Sequence, residues 1–261
     1  MKFLPVHSIE KERPFFMTKN ISVNIVEGYN ELSVKAAQIF SAKLKENPRG
    51  VFGFATGSSP AGMYAELTQM HLAGEIDMSG LTAFNLDEYY SLRPDDPQSY
   101  AAYMANTLFD KVGIPNERRN IPSGETKNPD GECLNYEKKI HEAGGIKFQI
   151  LGIGENGHIG FNEPSDAFAG QTNLVELAES TIKSNSRFFN VPAEVPRHAL
   201  TMGIGTIMMA EQILLLVSGD SKANALRDSL TGPITPRVPG SALQLHRNVI
   251  VVADKAAAKY L

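Results

Sequence analysis

The chain has 261 residues, 42% hydrophobic and 21% charged, with a formal net charge of −4. That balance suits a globular protein with a sizeable core and argues against nucleic acid or an anionic membrane as the main partner, though it leaves room for a local basic pocket that binds a small anion. A single cysteine, Cys133, excludes an intrachain disulfide framework and fits a reducing, cytoplasmic setting, and no run of 18 apolar residues marks a membrane span.

Residues 1–16 mix Lys2, Glu10, Lys11, Glu12 and Arg13 with apolar residues and lack the apolar core and cleavage site of a secretory signal. They read as an N-terminal extension, with residues 17–261 as a single α/β domain. Ile21–Val26 alternates apolar and polar, as a strand does, and Tyr29–Leu44 carries apolar residues at helical spacing. Gly50–Ala55 reads as a buried parallel strand. It runs into Thr56-Gly57-Ser58-Ser59-Pro60 and a helix over 61–72, with Ser59 expected as N-cap and Pro60 at the first helical position. A strand–Gly/Ser loop–helix junction favours anions, because free backbone N–H groups and the helix dipole point at the ligand. It is not a Walker loop, since no Gly-Lys-Ser/Thr follows.

Leu81–Leu86 is the next predicted strand and ends on Asp87-Glu88-Tyr89, so Asp87 lies where catalytic acids stand in open α/β sheets. Helices are predicted over 100–112, with Ser99 as N-cap, and over 133–142. Cys133 in the latter reads as structural or incidental. Lys147–Ile150 is a strand feeding the most informative loop, residues 151–164, where four glycines lie between positions 152 and 160 and His158 stands five residues before Glu163. Gly152–Gly157 also spells G-x-G-x-x-G, but Phe161-Asn162-Glu163-Pro164 leaves no room for the helix that a dinucleotide site requires, and Glu176 lacks a clear strand-end context. Residues 165–200 carry no strong strand pattern. Within them, Ser184–Phe189, which includes Arg187, reads either as a mobile lid or as a surface loop. Ile213–Val217 and Val249–Val252 are strongly apolar strands, and Lys222 lies just past the first of them, before a helix over 223–230.

Strands alternating with helices predict a doubly wound, three-layer α/β sandwich with a mostly parallel, Rossmann-like sheet. Such a fold brings Gly57, Ser58, Ser59, Asp87, His158, Glu163 and Lys222 to one rim.

Several segments then carry a family resemblance. Phe84–Tyr89, Asn156–Pro164, Asn185–Phe189, Thr56–Pro60 and Leu243–His246 closely resemble, in order, the glucosamine-6-phosphate deaminases. The FNEP and DEY segments separate this pattern from the related 6-phosphogluconolactonases. The resemblance implies conversion of glucosamine 6-phosphate and water to fructose 6-phosphate and ammonia, with no metal or redox cofactor. It implies that His158 assists ring opening, that Glu163 orients and tunes its imidazole, and that Asp87 moves a proton from C2 to C1. It further implies that Gly57, Ser58, Ser59, Arg187 and Lys222 hold the phosphate. Some relatives carry aspartate two residues before the histidine. This chain has Asn156, which brings no charge and leaves more of the work to Glu163.

Allosterically activated hexameric relatives have basic residues after the NEP motif. Here residues 165–175 contain no Lys or Arg, and Asp166 is expected to repel a phosphate. The expectation is a non-allosteric enzyme, a monomer or small homo-oligomer, acting on a small sugar phosphate. The alternatives are a galactosamine 6-phosphate deaminase, a lactonase on the same fold, and a non-catalytic sugar-phosphate sensor.

Overall fold

The computed structural model describes residues 20–186, 189 and 195–261. The extension at 1–16, Arg187 and most of residues 187–194 lie outside the described residues. The elements run β1 (Ile21–Val26), α1 (Tyr29–Glu46), β2 (Val51–Phe54), α2 (Ser58–Leu72), β3 (Thr82–Asn85), β4 (Asp87–Tyr89), α3 (Tyr100–Met104), β5 (Arg119–Asn120) and α4 (Pro129–Glu142). They continue through β6 (Phe148–Leu151), β7 (Asn173–Glu176), α5 (Glu179–Asn185), β8 (His198–Thr201), α6 (Ile204–Met208), β9 (Gln212–Val217), α7 (Ala223–Thr231) and β10 (Val249–Asp254).

Seven strands form one parallel sheet in the order β1-β10-β9-β6-β2-β3-β5. The apolar runs explain the order. β2 and β6 are buried at every residue and β9 at all but its first, as strands covered on both faces must be, whereas β1 alternates because it forms an edge. On one face, Phe40 of α1 meets Phe52, Phe54 and Phe148, and Tyr64 of α2 meets Phe54. On the other, Tyr136 of α4 meets Phe84 edge-on, with ring centroids 5.6 Å apart. These are the three layers expected. From β2 the chain steps outward to β3 and β5, then returns to the other side of β2 as β6. That reversal opens the crevice in which ligands of open α/β sheets bind.

Several local expectations need correction. α2 begins at Ser58, and its N-cap is Gly57 at φ +100°, a conformation that glycine adopts without strain. Ser59 is therefore inside the first turn and caps nothing. Pro60 is the third helical residue, still within the first turn, where its missing N–H is harmless. α4 starts at Pro129, earlier than its apolar stripe suggests, because the Asn128 side chain accepts from Gly131 N–H (3.1 Å) and proline suits the first helical position. The helix predicted over 100–112 is capped by Ser99 as expected but widens into a π-helical turn over Ala105–Phe109.

Residues 165–200, read as patternless, contribute β7 and β8. With β4 they form a second, antiparallel sheet in the order β4-β8-β7. Asp87 is thus the first residue of a new strand, opposite Thr201, as well as the residue just past β3. The charge of Asp166 also carries less weight than expected, since Arg237 from a distant loop pairs with it.

Candidate active site

The N-terminus of α2 is held by two tyrosines. Tyr29 Oη donates to the Ser58 carbonyl (2.6 Å) and accepts from Gly62 N–H (2.8 Å), and Tyr103 Oη donates to the Gly57 carbonyl (3.1 Å). The Gly57 N-cap offers no side chain to the first N–H groups of the helix. Lys222, in a 3-10 turn after β9, donates from Nζ to Ser59 Oγ (2.9 Å). A buried hydroxyl, a lysine and a helix N-terminus thus meet although they lie far apart in sequence. Gly152, just past β6, adjoins them, for a Cβ there would lie 3.7 Å from Ser59 Cβ.

The loop after β6 builds the second half of the site, and no helix opens at Gly157. Gly157 (φ +86°) and Gly160 (φ +57°) let the chain fold back on itself. The Asn156 carbonyl oxygen Oδ1 accepts from His158 N–H (3.2 Å), and Asn156 Nδ2 donates to Glu163 Oε2 (2.7 Å). His158 Nδ1 lies 3.4 Å from the same Oε2, and Thr181 Oγ1 donates to Glu163 Oε1. Burial works to raise the Glu163 carboxyl. The imidazole beside it, then the Thr181 hydroxyl and the Asn156 amide, outweigh that and bring it down to about 2. Glu163 is therefore a fixed negative charge facing the ring. The ring also rests on bare backbone, because a Cβ on Gly154 would come within 2.5 Å of three of its atoms.

Asn162 pins this loop to the small sheet by donating to the carbonyls of Ile159 (2.9 Å) and Met202 (2.8 Å). Gly160 then comes to rest against Asp87 and Thr201: a Cβ there would lie 3.6 Å from Asp87 Oδ2 and 2.9 Å from Thr201 Oγ1. Asp87 is only 5% exposed. Burial, and then the neighbouring Glu88 charge, push its carboxyl up to about 8. One loop thus carries a histidine beside a low-pKa carboxylate and passes close to a buried carboxyl that binds its proton tightly. Environments that push two acids apart in this way suit one to orient and the other to exchange protons.

Residues 27–252 match the family described as glucosamine-6-phosphate isomerases/6-phosphogluconolactonase. The chain belongs to that family. Among its members, the glucosamine-6-phosphate deaminase of Alkaliphilus metalliredigens is 51% identical over 239 residues, 92% of this chain and 99% of the relative. That of Halothermothrix orenii is 49% identical with the same coverage. A solved structure described as a monomeric glucosamine-6-phosphate deaminase superposes with a TM-score of 0.89 at 43% identity, covering 92% of this chain and all of the other. The 6-phosphogluconolactonase of Trypanosoma brucei, at 17% identity and a TM-score of 0.73, shares the fold alone.

Within this family frame, Asp87, His158, Glu163, Asn156, Gly57, Ser58, Ser59 and Lys222 all lie on the rim at the carboxyl ends of the sheet strands, and Arg187 lies outside the described residues. Sequence reasoning missed Thr181, Thr201, Tyr29 and Tyr103. Thr181 lies in α5 with no motif around it, and nothing local marks it as a partner of Glu163. Among the described residues, no group of three or more His, Cys, Asp or Glu side chains is arranged to hold a metal ion. Nor is any helix among them long and apolar enough to cross a membrane. Cys133 is buried, and burial followed by the charges of Asp130, Glu132 and Glu137 pushes its thiol up to about 11, which makes it a poor nucleophile. His246, part of the resemblance, is structural: its Nδ1 accepts from Asn248 N–H (3.0 Å), so its Nε2 carries the proton and donates to the Ala210 carbonyl (2.8 Å).

Proposed function

We propose that the chain is a glucosamine-6-phosphate deaminase, with residues 17–261 as its working domain and the cytoplasm as its setting. The observation that carries this reading is the close approach of the His158–Glu163 loop to buried Asp87, on the same rim as the Lys222–Ser59 pair. A phosphate sensor needs only the last of these.

The 6-phosphate of the substrate binds the N–H groups of Ser58 and Ser59, the Ser59 hydroxyl and Lys222, with Arg187 adding charge. This remote binding energy positions the sugar. His158 takes the proton of the anomeric hydroxyl and returns one to the ring oxygen, opening the ring. Glu163 stabilises the imidazolium that forms between the two transfers. Asp87, as carboxylate, then removes the C2 proton while a proton of the substrate's ammonium passes to O1, leaving an enolamine across C1 and C2. It returns the proton to C1, which gives a ketimine at C2. Water adds to that carbon and ammonia leaves, yielding fructose 6-phosphate. Its high proton affinity makes Asp87 a stronger base than an exposed aspartate once ionised.

The direct test is ammonia release from glucosamine 6-phosphate and from galactosamine 6-phosphate, with fructose 6-phosphate assayed as product. Release from the gluco epimer, with hyperbolic kinetics that N-acetylglucosamine 6-phosphate does not change, is expected of a non-allosteric enzyme, whether monomer or small homo-oligomer. Release only from the galacto epimer would keep the mechanism and change the substrate. Sigmoidal kinetics relieved by the acetylated sugar would overturn the regulatory reading.

Gly154 offers a test of the ring position. A methyl group there collides with the His158 ring while leaving the Ser59–Lys222 pair untouched. Gly154→Ala is expected to lower kcat roughly 100-fold, as displacement of a reacting group by about 1 Å does, with little change in competitive inhibition by inorganic phosphate. An unchanged kcat would mean that the ring is not used in the position described.

A further inference from the structure

We propose that Asp254 is a positioning residue of the phosphate subsite, holding through Ser218 and Gly219 the turn that aims Lys222 at Ser59. The proposal rests on the reading that Lys222 and Ser59 bind the substrate phosphate.

Asp254 is the last residue of β10 and 5% exposed, and none of the reaction steps above uses it. Its carboxylate accepts from Ser218 Oγ (2.5 Å), from Gly219 N–H (3.1 Å to each oxygen) and from Ala257 N–H (2.8 Å). Ser218 and Gly219 are the two residues between the end of β9 and the 3-10 turn Asp220–Lys222. Gly219 bends the chain there at φ +99°. The Gly219 carbonyl in turn accepts from Lys222 N–H (3.1 Å), and Lys222 Nζ reaches Ser59 Oγ (2.9 Å). An unbroken run of hydrogen bonds therefore leads from Asp254 to the helix N-terminus that receives the phosphate. A second tie lies alongside, for Lys259 Nζ meets Asp220 Oδ1 at 2.5 Å and joins the C-terminal turn to the same segment.

Burial favours the neutral acid at Asp254, but the Ser218 hydroxyl and the N–H groups of Ala257, Gly219 and Ala256 outweigh it and keep the carboxyl below its ordinary range. The group is thus a permanent acceptor whose lone pairs are spent on the turn. A long, flexible lysine loses much rotamer freedom when it binds an anion, and a backbone fixed beforehand reduces that loss. The simpler role for Asp254 is to cap the chain's last turn through Ala257. Capping alone would govern the melting temperature and leave anion affinity unchanged.

The experiment measures the Kd of inorganic phosphate by calorimetry, together with kcat, KM and melting temperature. The proteins are the wild type, Lys222→Ala, Asp254→Asn, Ser218→Ala and the double variant Lys222→Ala/Asp254→Asn. Asp254→Asn places an amide donor against the Gly219 N–H and is expected to raise the phosphate Kd and the KM about tenfold, the equivalent of one well-placed hydrogen bond, with kcat changed less than about twofold. Ser218→Ala removes one of the contacts and is expected to shift both constants about threefold in the same direction. Because Asp254 acts through Lys222, the double variant should bind phosphate no more weakly than Lys222→Ala alone. A lowered melting temperature with unchanged Kd, or a fully additive double variant, overturns the proposal and leaves the phosphate site standing. No effect of Lys222→Ala on Kd overturns the phosphate reading itself. If Asp254→Asn does not fold, Ser218→Ala paired with Lys222→Ala decides the same question.

Discussion

Asp87→Asn is expected to abolish ammonia release, by roughly 10³-fold or more, and at the same time to make the protein harder to unfold at pH 8. The loss of activity follows from removal of the only group assigned to carry the proton between C2 and C1. The gain in stability follows from the position of the carboxyl. An aspartate in an unfolded chain ionises at about pH 3.9. In the fold, burial and then the Glu88 charge push Asp87 up to about 8. Between those two values the folded protein holds a proton that the unfolded chain has already released, so stability falls as pH rises through that window. Below it both states are protonated, above it both are ionised, and the contribution is level on either side. The slope for one such proton is about 1.4 kcal/mol per pH unit, and the accumulated cost at pH 8 is on the order of several kcal/mol. Asparagine has no charge to bury. The melting temperature of Asp87→Asn should therefore exceed that of the wild type by an amount that grows from pH 5 to pH 8 and then stays constant. Melts of both proteins across pH 5–9 would check this. A difference independent of pH would mean that Asp87 ionises as an ordinary aspartate, and a folded variant that still turns over would remove it from the mechanism.

The second large effect concerns Glu163. Glu163→Gln is expected to lower kcat by about 10² to 10³-fold, while Asn156→Ala lowers it only about tenfold. Glu163 Oε2 lies 3.4 Å from His158 Nδ1, and it carries a negative charge at neutral pH because its carboxyl sits at about 2. The imidazolium formed during ring opening loses that charge in the glutamine variant. The new amide also turns a donor toward either Asn156 or Thr181, both of which donate to the native carboxylate. Removing Asn156 takes away one donor to Glu163 and one acceptor for the His158 N–H, but leaves the charge and the Thr181 bond. Comparable losses in the two variants would reject this ranking. The same residue predicts an effect on stability of opposite sign to that of Asp87. Its folded carboxyl lies below the unfolded value of about 4.3, so its contribution is fully present above that value and is lost as pH falls toward 2. Acid unfolding of Glu163→Gln should show a shallower dependence on pH than that of the wild type between about pH 5 and pH 2.

Much of this protein was legible in its sequence. The runs Gly50–Ala55, Ile213–Val217 and Val249–Val252 announce buried strands because a strand covered on both faces is built almost wholly of apolar residues. Tyr29–Leu44 announces a helix through its spacing. The glycines at 57, 152, 154, 157 and 160 announce loops in which backbone approaches a ligand or a ring. Each of these signals is local, set by the residue and its near neighbours in the chain.

What the sequence did not yield depends on partners brought from elsewhere. β4, β7 and β8 mix polar and apolar residues without the continuous apolar run of a strand covered on both faces, and they become strands only by pairing with one another. Ser59 has the composition of a helix cap, yet the positive φ of Gly57 starts α2 earlier and frees the Ser59 hydroxyl for Lys222. Thr181 meets Glu163 only because α5 crosses the loop. Asp87 and Glu163 are both acids beside polar neighbours in the sequence, but one ends at about 8 and the other at about 2. The sequence by itself determined which residue types were available and which stretches would be strands, helices and tight turns, since those follow from short-range sterics and apolar periodicity. Only the tertiary structure decided which groups meet and how strongly each holds its proton, because desolvation and charge pairing depend on every element packed around a side chain.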